Sequence, residues 1–479
     1  MRAPIRLLAA ILLFALAACG ARTGDVPPTR DASLDAPRSD APRSDAAPRP
    51  DLLPLTGWAC SAGGGKNDWG RSIAVDGQGN AYVTGHFEGT ASFGPHTLHA
   101  AGASDMFLAK VSPDGQFLWA VRAGGAGEDR GCGVIVDDVG RPMVTGLFHD
   151  AITFGAVALS SKGLADLFVA RYSTDGDPQW AVRGGSGGAD WGWDLSPDGQ
   201  GGAFLAGQYN GQGSFGSATL PAMGSDDALT AHLTRDGQIS WAAGAGWYGN
   251  ESSWGVAADG QGNAIVAGRF EWSVDFDAIT LGAAGGDDIF VAKYGPGGKV
   301  LWAVSAGGNE QDWGWAVAPD GTGGAYVTGF FGGLAHFGST TVDSEGSSDL
   351  FVTRHSAAGQ QMWVAAAGGP GGDRGYDVAR NGEGVLVTGY FAQSMTLGST
   401  TLAAQGAQDI FIARLTGAGA WDWALSGGGT EVDRPSAMAL GPGRTLYLTG
   451  QYAGSATLGG ATLQAQGGDD IFVWKVVLP

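Results

Sequence analysis

From residue 55 onward, apolar and polar positions alternate in short runs divided by turn residues, and the runs are strand-length rather than helix-length. In "SIAVDGQGNAYVTGHF" two apolar runs flank Asp-Gly-Gln-Gly-Asn, a hairpin signal. In "DMFLAKVSPDGQFLWAVRA" the break is Pro113-Asp114-Gly115, where Pro presets φ and Gly accepts a positive one. These two hairpins predict four strands: a (71–76), b (81–87), c (105–111) and d (117–123). No helix is predicted after residue 20.

The four-strand pattern recurs seven times. A Gly after "VT" or its equivalent falls at Gly85, Gly146, Gly207, Gly268, Gly329, Gly389 and Gly450, at spacings of 61, 61, 61, 61, 60 and 61. A Trp keeps the same register at Trp58, Trp119, Trp180, Trp241, Trp302, Trp363 and Trp423. In strand a, one position is always sizeable and apolar (Ile73, Val134, Leu195, Val256, Val317, Val378, Met438), and the next is small in six of seven units. Small residues suit strands that crowd around an axis. Seven four-stranded antiparallel sheets, each covered on both faces by its neighbours, predict an all-β, seven-bladed β-propeller over 55–479. A solenoid, the alternative, usually has shorter coils and needs caps. The chain order leaves one d strand (55–63) before the first a strand and one c strand (470–477) with no d strand after it. The two are expected to pair and close the ring, which removes an open sheet edge.

"GNAYVTG" (79–85), "GGAYVTG" (323–329), "DIFVAK" (288–293) and "DLFVAR" (166–171) resemble the bacterial seven-bladed β-propeller (SBBP) repeats. The resemblance implies the propeller fold over most of the chain and says little about activity.

The first 54 residues follow a different pattern. Arg2 and Arg6 precede the apolar "LLAAILLFAL", too short to span a bilayer, and "LAAC" ends at Cys19. This resembles a lipoprotein signal (1–18) cleaved before Cys19, which would carry the lipid. Residues 19–54, with "DASLDAPRSDAPRSDAAPRPD", then read as a disordered tether with little to bury. The expected location is the cell envelope, on the outer membrane at its periplasmic or cell-surface side, with the membrane touched through the lipid anchor only.

Composition adds 86 Gly, 17 Trp and a formal charge of −20, which excludes nucleic acid as a partner because no basic patch stands out to displace counterions from phosphates. A monomer is expected. Cys60 and Cys132 fall on different blades, too far apart to bridge each other, and read as free buried thiols.

Two acidic rings stand out: Asp105, Asp166, Asp227, Asp288, Asp349, Asp409 and Asp470 at the start of each c strand, and Asp68, Asp129, Asp190, Glu251, Asp312, Asp373 and Asp433 in each d-to-a connection. Hard oxygen ligands suit calcium, and the d-to-a ring is the candidate set for it. Carboxylates that recur in every unit are better explained as acceptors for N–H groups in Gly-rich turns, so no cofactor is expected.

Positions that break the repeat carry the functional candidates. After each loop acid come Trp69, Arg130, Trp191, Ser252, Trp313, Arg374 and Arg434, with Trp193, Trp254, Trp315 and Tyr376 two positions further on. Unit 4 departs most, with "GWYGNESSW" (246–254) and "RFEWSVDFD" (269–277). Propeller topology puts these loops on one face, which would gather Trp247, Tyr248, Trp254, Arg269 and Trp272 near the axis. Aromatics beside Arg suit carbohydrate or protein recognition. The expected function is therefore a binding or scaffold module, with a hydrolase or lyase acting on an extracellular polymer as the alternative. No catalytic residue is assigned: "GGSGG" (184–188) lacks the strand–elbow–helix setting, and HExxH, P-loop and EF-hand patterns are missing.

Overall fold

The structure, a computed structural model, describes residues 57–479. The signal sequence, Cys19 and the tether lie outside the described residues. The described chain is all β, without helix.

Blade 1 consists of strands a to d at Asp68–Val75, Ala81–Phe87, Asp105–Val111 and Phe117–Ala123, paired antiparallel in that order, and the same order repeats around a seven-bladed ring. Strands b, c and d keep the sequence-predicted limits. Strand a begins three residues earlier, at the loop acid. Blade 7 is assembled from both ends of the domain: Asp433–Gly441, Thr445–Tyr452, Asp470–Val477 and, as its d strand, Gly57–Gly64. The closing register runs from Gly57 opposite Val476 to Ala62 opposite Ile471.

The core lies between blades. Ile73 and Phe107 of blade 1 pack with Tyr447, Ile471 and Val473 of blade 7, and comparable clusters fill the other seams. The seven sizeable a-strand residues, from Ile73 to Met438, are all buried. At the axis, a Cβ on Gly133 would come within 2.9 Å of the Asp194 Cα on the next blade, so the inner strands of adjacent blades approach closely.

Each a strand carries a β-bulge before its apolar position, shifting the register between Gly70 and Ser72 in blade 1 and at the same place in the other six. The bulge explains the anchor Gly. A Cβ on Gly85 would lie 1.8 Å from the Trp69 carbonyl oxygen, and the other six anchor glycines face the matching carbonyl at 1.8 to 2.2 Å.

Sequence reading missed one element, a hairpin between b and c in every unit, such as Thr90–Phe93 with His96–His99. In units 2 and 4 it merges with the blade strands. Its first strand bonds to the end of the preceding blade's d strand at all seven seams, as at Gly63 opposite Ser92 and Gly307 opposite His336. The repeated Trp has a related role. Trp58 Nε1 donates to the Pro113 carbonyl (2.7 Å) and its ring covers Gly115, in the c-to-d turn of the next blade. Trp119, Trp180, Trp241, Trp302 and Trp363 likewise cover the turn glycine of the next blade, which makes six of the seven half-buried clamps across seams; Trp423 faces the open junction of blade 7, where the described residues hold no c-to-d turn.

Cys60 is a free thiol, and burial pushes its pKa up to about 12. Cys132 does not pair with it, as expected, but is not free either, which corrects that part of the reading.

Candidate functional site

The d-to-a and b-to-c connections share one face of the ring. On it, each loop acid is buried and occupied by the backbone. Six of the seven accept an N–H from the residue four positions earlier at 2.6 to 3.1 Å (Asp68, Asp129, Asp190, Glu251, Asp312, Asp433), and Asp373 accepts from Ala392 at 3.1 Å. The c-strand ring does the same: each Asp from Asp105 to Asp470 accepts from the residue four before it at 2.9 to 3.1 Å. These bonds tie the turns, as short carboxylates commonly do. The two rings also meet, each loop acid lying beside the c-strand acid of the preceding blade, as Asp68 lies beside Asp470. Burial, with a smaller push from that neighbour, raises Asp68, Asp129, Asp312, Asp373 and Asp433 to about 7, Asp190 to about 6 and Glu251 to about 8. Among the described residues, no group of three or more His, Cys, Asp or Glu is arranged to hold a metal ion.

Nearer the axis, the repeat-breaking residues sort by blade. In blades 3 to 5, Trp191 stacks on Trp193 (4.8 Å), Trp254 on Trp315 (4.4 Å) and Trp315 on Tyr376 of blade 6 (5.3 Å). Trp254 also meets Trp313 at 5.0 Å, and the Arg269 guanidinium lies over both, paired with Asp287 at 2.7 Å. Trp191, Trp254 and Trp313 are buried, whereas Trp193, Trp315 and Tyr376 keep part of each ring open.

Blades 6, 7, 1 and 2 carry arginines instead. Arg374 sits over Phe330 (4.1 Å) and Tyr390 (6.0 Å), Arg434 over Tyr390 (5.1 Å), and Arg71 over Trp69 (4.5 Å). Arg130 pairs with Glu128 at 3.0 Å. Arg71, in the bulge of blade 1, was missed by the sequence reading. Burial pushes its pKa down to about 9, helped by the nearby Arg130 and Arg434. The signal that marks it is its register: it occupies the same bulge position as Trp193, Trp254, Trp315 and Tyr376.

The unit 4 residues divide. Trp254 and Arg269 join the axial network, while Trp247, Tyr248 and Trp272 stay 44%, 73% and 70% exposed on the adjoining connections. Those connections are stitched together: Asn250 Nδ2 donates to Glu271 Oε1 (3.0 Å) and the Asp275 N–H donates to the Gly246 carbonyl (3.2 Å). Trp247 and Tyr248 meet edge to face at 5.3 Å. Trp272 has φ 59°, in the left-handed region, where units 1, 3, 5 and 7 place Gly89, Gly211, Gly333 and Gly454.

The strand pairings place the chain among the seven-bladed β-propellers. The profile of the SBBP family, described as a beta-propeller repeat, matches residues 57–86. Over 132 residues, 27% of this chain, the sequence is 30% identical to the regulatory protein FlaEY of Caulobacter vibrioides, and spans 14% of that relative's length. Among solved structures, Sqt1 from Chaetomium thermophilum aligns with a TM-score of 0.38 and 9% identity over 83% of this chain and 97% of its own. A protein of unknown function from Bacteroides caccae aligns with a TM-score of 0.32 and 10% identity over 63% and 83%. Values this low add nothing to the fold that the pairings establish.

Proposed function

We propose that the protein is an exported, lipid-anchored binding module whose d-to-a face takes a carbohydrate or protein ligand. The observation that carries this reading is Trp272. A bulky side chain at φ 59° costs on the order of 1 to 2 kcal/mol relative to an ordinary backbone conformation, and Gly would relieve it. Instead the position holds a mostly exposed indole, near a second exposed aromatic pair. Units 2 and 6 carry the polar Asp150 and Gln393 at the same φ, so what sets unit 4 apart is a large apolar ring left on the surface there, and contact with a ligand accounts for it. The sequence from Arg2 to Cys19 supports export and anchoring, with residues 20–54 as the spacer.

The hydrolase or lyase alternative has less support. The carboxylates with raised pKa that would serve as general acids are buried and bonded to backbone N–H groups, out of reach of a polymer.

Replacing Trp272 with Gly and Tyr248 with Ala tests the reading on a glycan array and in envelope pull-downs. Both variants should lose the ligand found for the native chain, and Trp272→Gly should keep or raise the thermal midpoint. Unchanged binding in both would remove the basis for the proposal.

A further inference from the structure

The axial mouth is charged in a way the rest of the molecule is not. The chain carries a formal charge of −20, yet Arg374, Arg434 and Arg130 hold one register of blades 6, 7 and 2, and Arg71 stands in the bulge of blade 1 between them. Three carboxylates lie close enough to offset part of this charge: Glu128 pairs with Arg130, Glu88 also acts on Arg130, and Asp469, which accepts from Trp69 and Gln451 and is raised overall by burial, is partly held down by Arg434. Arg374 makes cation–π contacts, and its buried Nε has no hydrogen-bond partner. Like charges held together oppose folding, and a buried N–H left without an acceptor forfeits its hydrogen bond to water. An anionic ligand would relieve both.

We propose that this mouth binds an acidic carbohydrate, the arginine arc taking its carboxylates and the half-open ring of Trp193, stacked on one side only, taking a sugar face; this rests on the binding-face reading above. A uronate fits because it carries its carboxylate on the same rigid ring as a flat C–H face. One residue can then engage guanidinium and indole together. An acidic peptide holds its carboxylate on a flexible stem, away from any ring, and would use only half of the surface. The planar guanidinium fork favours a carboxylate as a two-point acceptor.

The test is titration of the full chain with tetragalacturonate and with the same tetramer after reduction of its carboxyl groups, at low and high salt. The acidic form should bind at least about tenfold more tightly than the reduced one, and salt should weaken it. Arg374→Gln and Arg434→Gln should each lower that affinity by about tenfold, while Arg444→Gln, in an exposed turn on the opposite face, should not change it. Arg374→Lys guards against misfolding: it keeps the charge, so the loss should be smaller at an unchanged thermal midpoint. Equal binding of the two tetramers, binding of neither, or insensitivity to both Gln variants would overturn the inference. If the tetragalacturonate arm fails while a neutral glycan or a protein binds and Trp272→Gly abolishes it, the acidic ligand is wrong and the binding face stands. If Trp272→Gly also changes nothing, both fall.

Discussion

Gly237 shows how one position is constrained from two directions. It sits in the c-to-d turn of blade 3 at φ 78°, and a Cβ there would lie 2.8 Å from Cε3 of Trp180, the clamp from blade 2. Gly260 has the same φ of 78° but nothing within 4 Å of its Cβ position. Gly260→Ala should therefore cost about 1 kcal/mol, from backbone strain alone. Gly237→Ala should cost at least about 1 kcal/mol more, because the indole must also move. Urea midpoints of the two variants separate the terms, and equal midpoints would deny the clamp a role. The c-to-d turn was legible in the sequence as a Gly at a turn, but the Trp above it was not, since the two are more than 50 positions apart. Arg71 escaped for a different reason: it stands three positions after Asp68, as Trp193, Trp254, Trp315 and Tyr376 stand after their loop acids, but a pattern of aromatics at that position hides a lone arginine until the bulge shows that they share one place. Trp247, Tyr248 and Trp272 could be named from sequence because they broke a sevenfold pattern, but their separation from the axial rings follows from exposure, which no pattern encodes.

Strands b, c and d were readable because their apolar runs and turn residues are local. The bulge in strand a, and the b-to-c hairpin that bonds to the preceding blade, depend on a neighbouring blade and so leave a weaker trace. That trace exists as a repeated Phe/Leu-Gly step, with Gly94, Gly155, Gly216, Gly338, Gly398 and Gly459 all near φ 60°. Ring closure was different, because counting strands was enough to place the first segment beside the last. Gly57–Gly64 supplies the only described partner for the outer edge of Asp470–Val477, and it also receives the hairpin of blade 1 at Gly63 and Gly64. Deleting 57–64 should therefore open two seams at once and expose a strand edge prone to association. We expect a markedly lower thermal midpoint and concentration-dependent light scattering, whereas deleting 20–54 should leave both unchanged. Equal behaviour of the two truncations would refute closure by the first strand.

At the scale of the whole ring, the seven seams each bury a pair of carboxylates, and this sets how stability depends on pH. An acid with a native pKa above its unfolded value of about 4 binds extra protons only in the folded state. Its contribution is complete below about pH 4 and is lost as pH rises through the native value. For the loop acids those values run from about 6 at Asp190, through about 7 at Asp68, Asp129, Asp312, Asp373 and Asp433, to about 8 at Glu251. Asp194 and Asp377, half-buried near the axis, where they cap the N–H groups of Val256 and Met438, are raised to about 7 as well, by loss of solvation. His86 and His355 work in the opposite sense, since burial pushes both down and their stabilising effect is lost as pH falls below about 6.5. They are two groups against these nine and the further acids that burial raises, among them Asp227, Asp288 and Asp470. The thermal midpoint should thus fall as pH is raised from about 5 to about 8, opposite to the usual behaviour of carboxylates held below their unfolded pKa in ion pairs. Glu251→Gln keeps an oxygen able to accept the Trp247 N–H and removes the group that titrates highest, so it should flatten the upper part of the decline. Scanning calorimetry of the native chain and this variant across that range decides the matter. A midpoint that rises with pH would mean that the backbone N–H bonds to these carboxylates outweigh their burial, and that the seams hold them as anions.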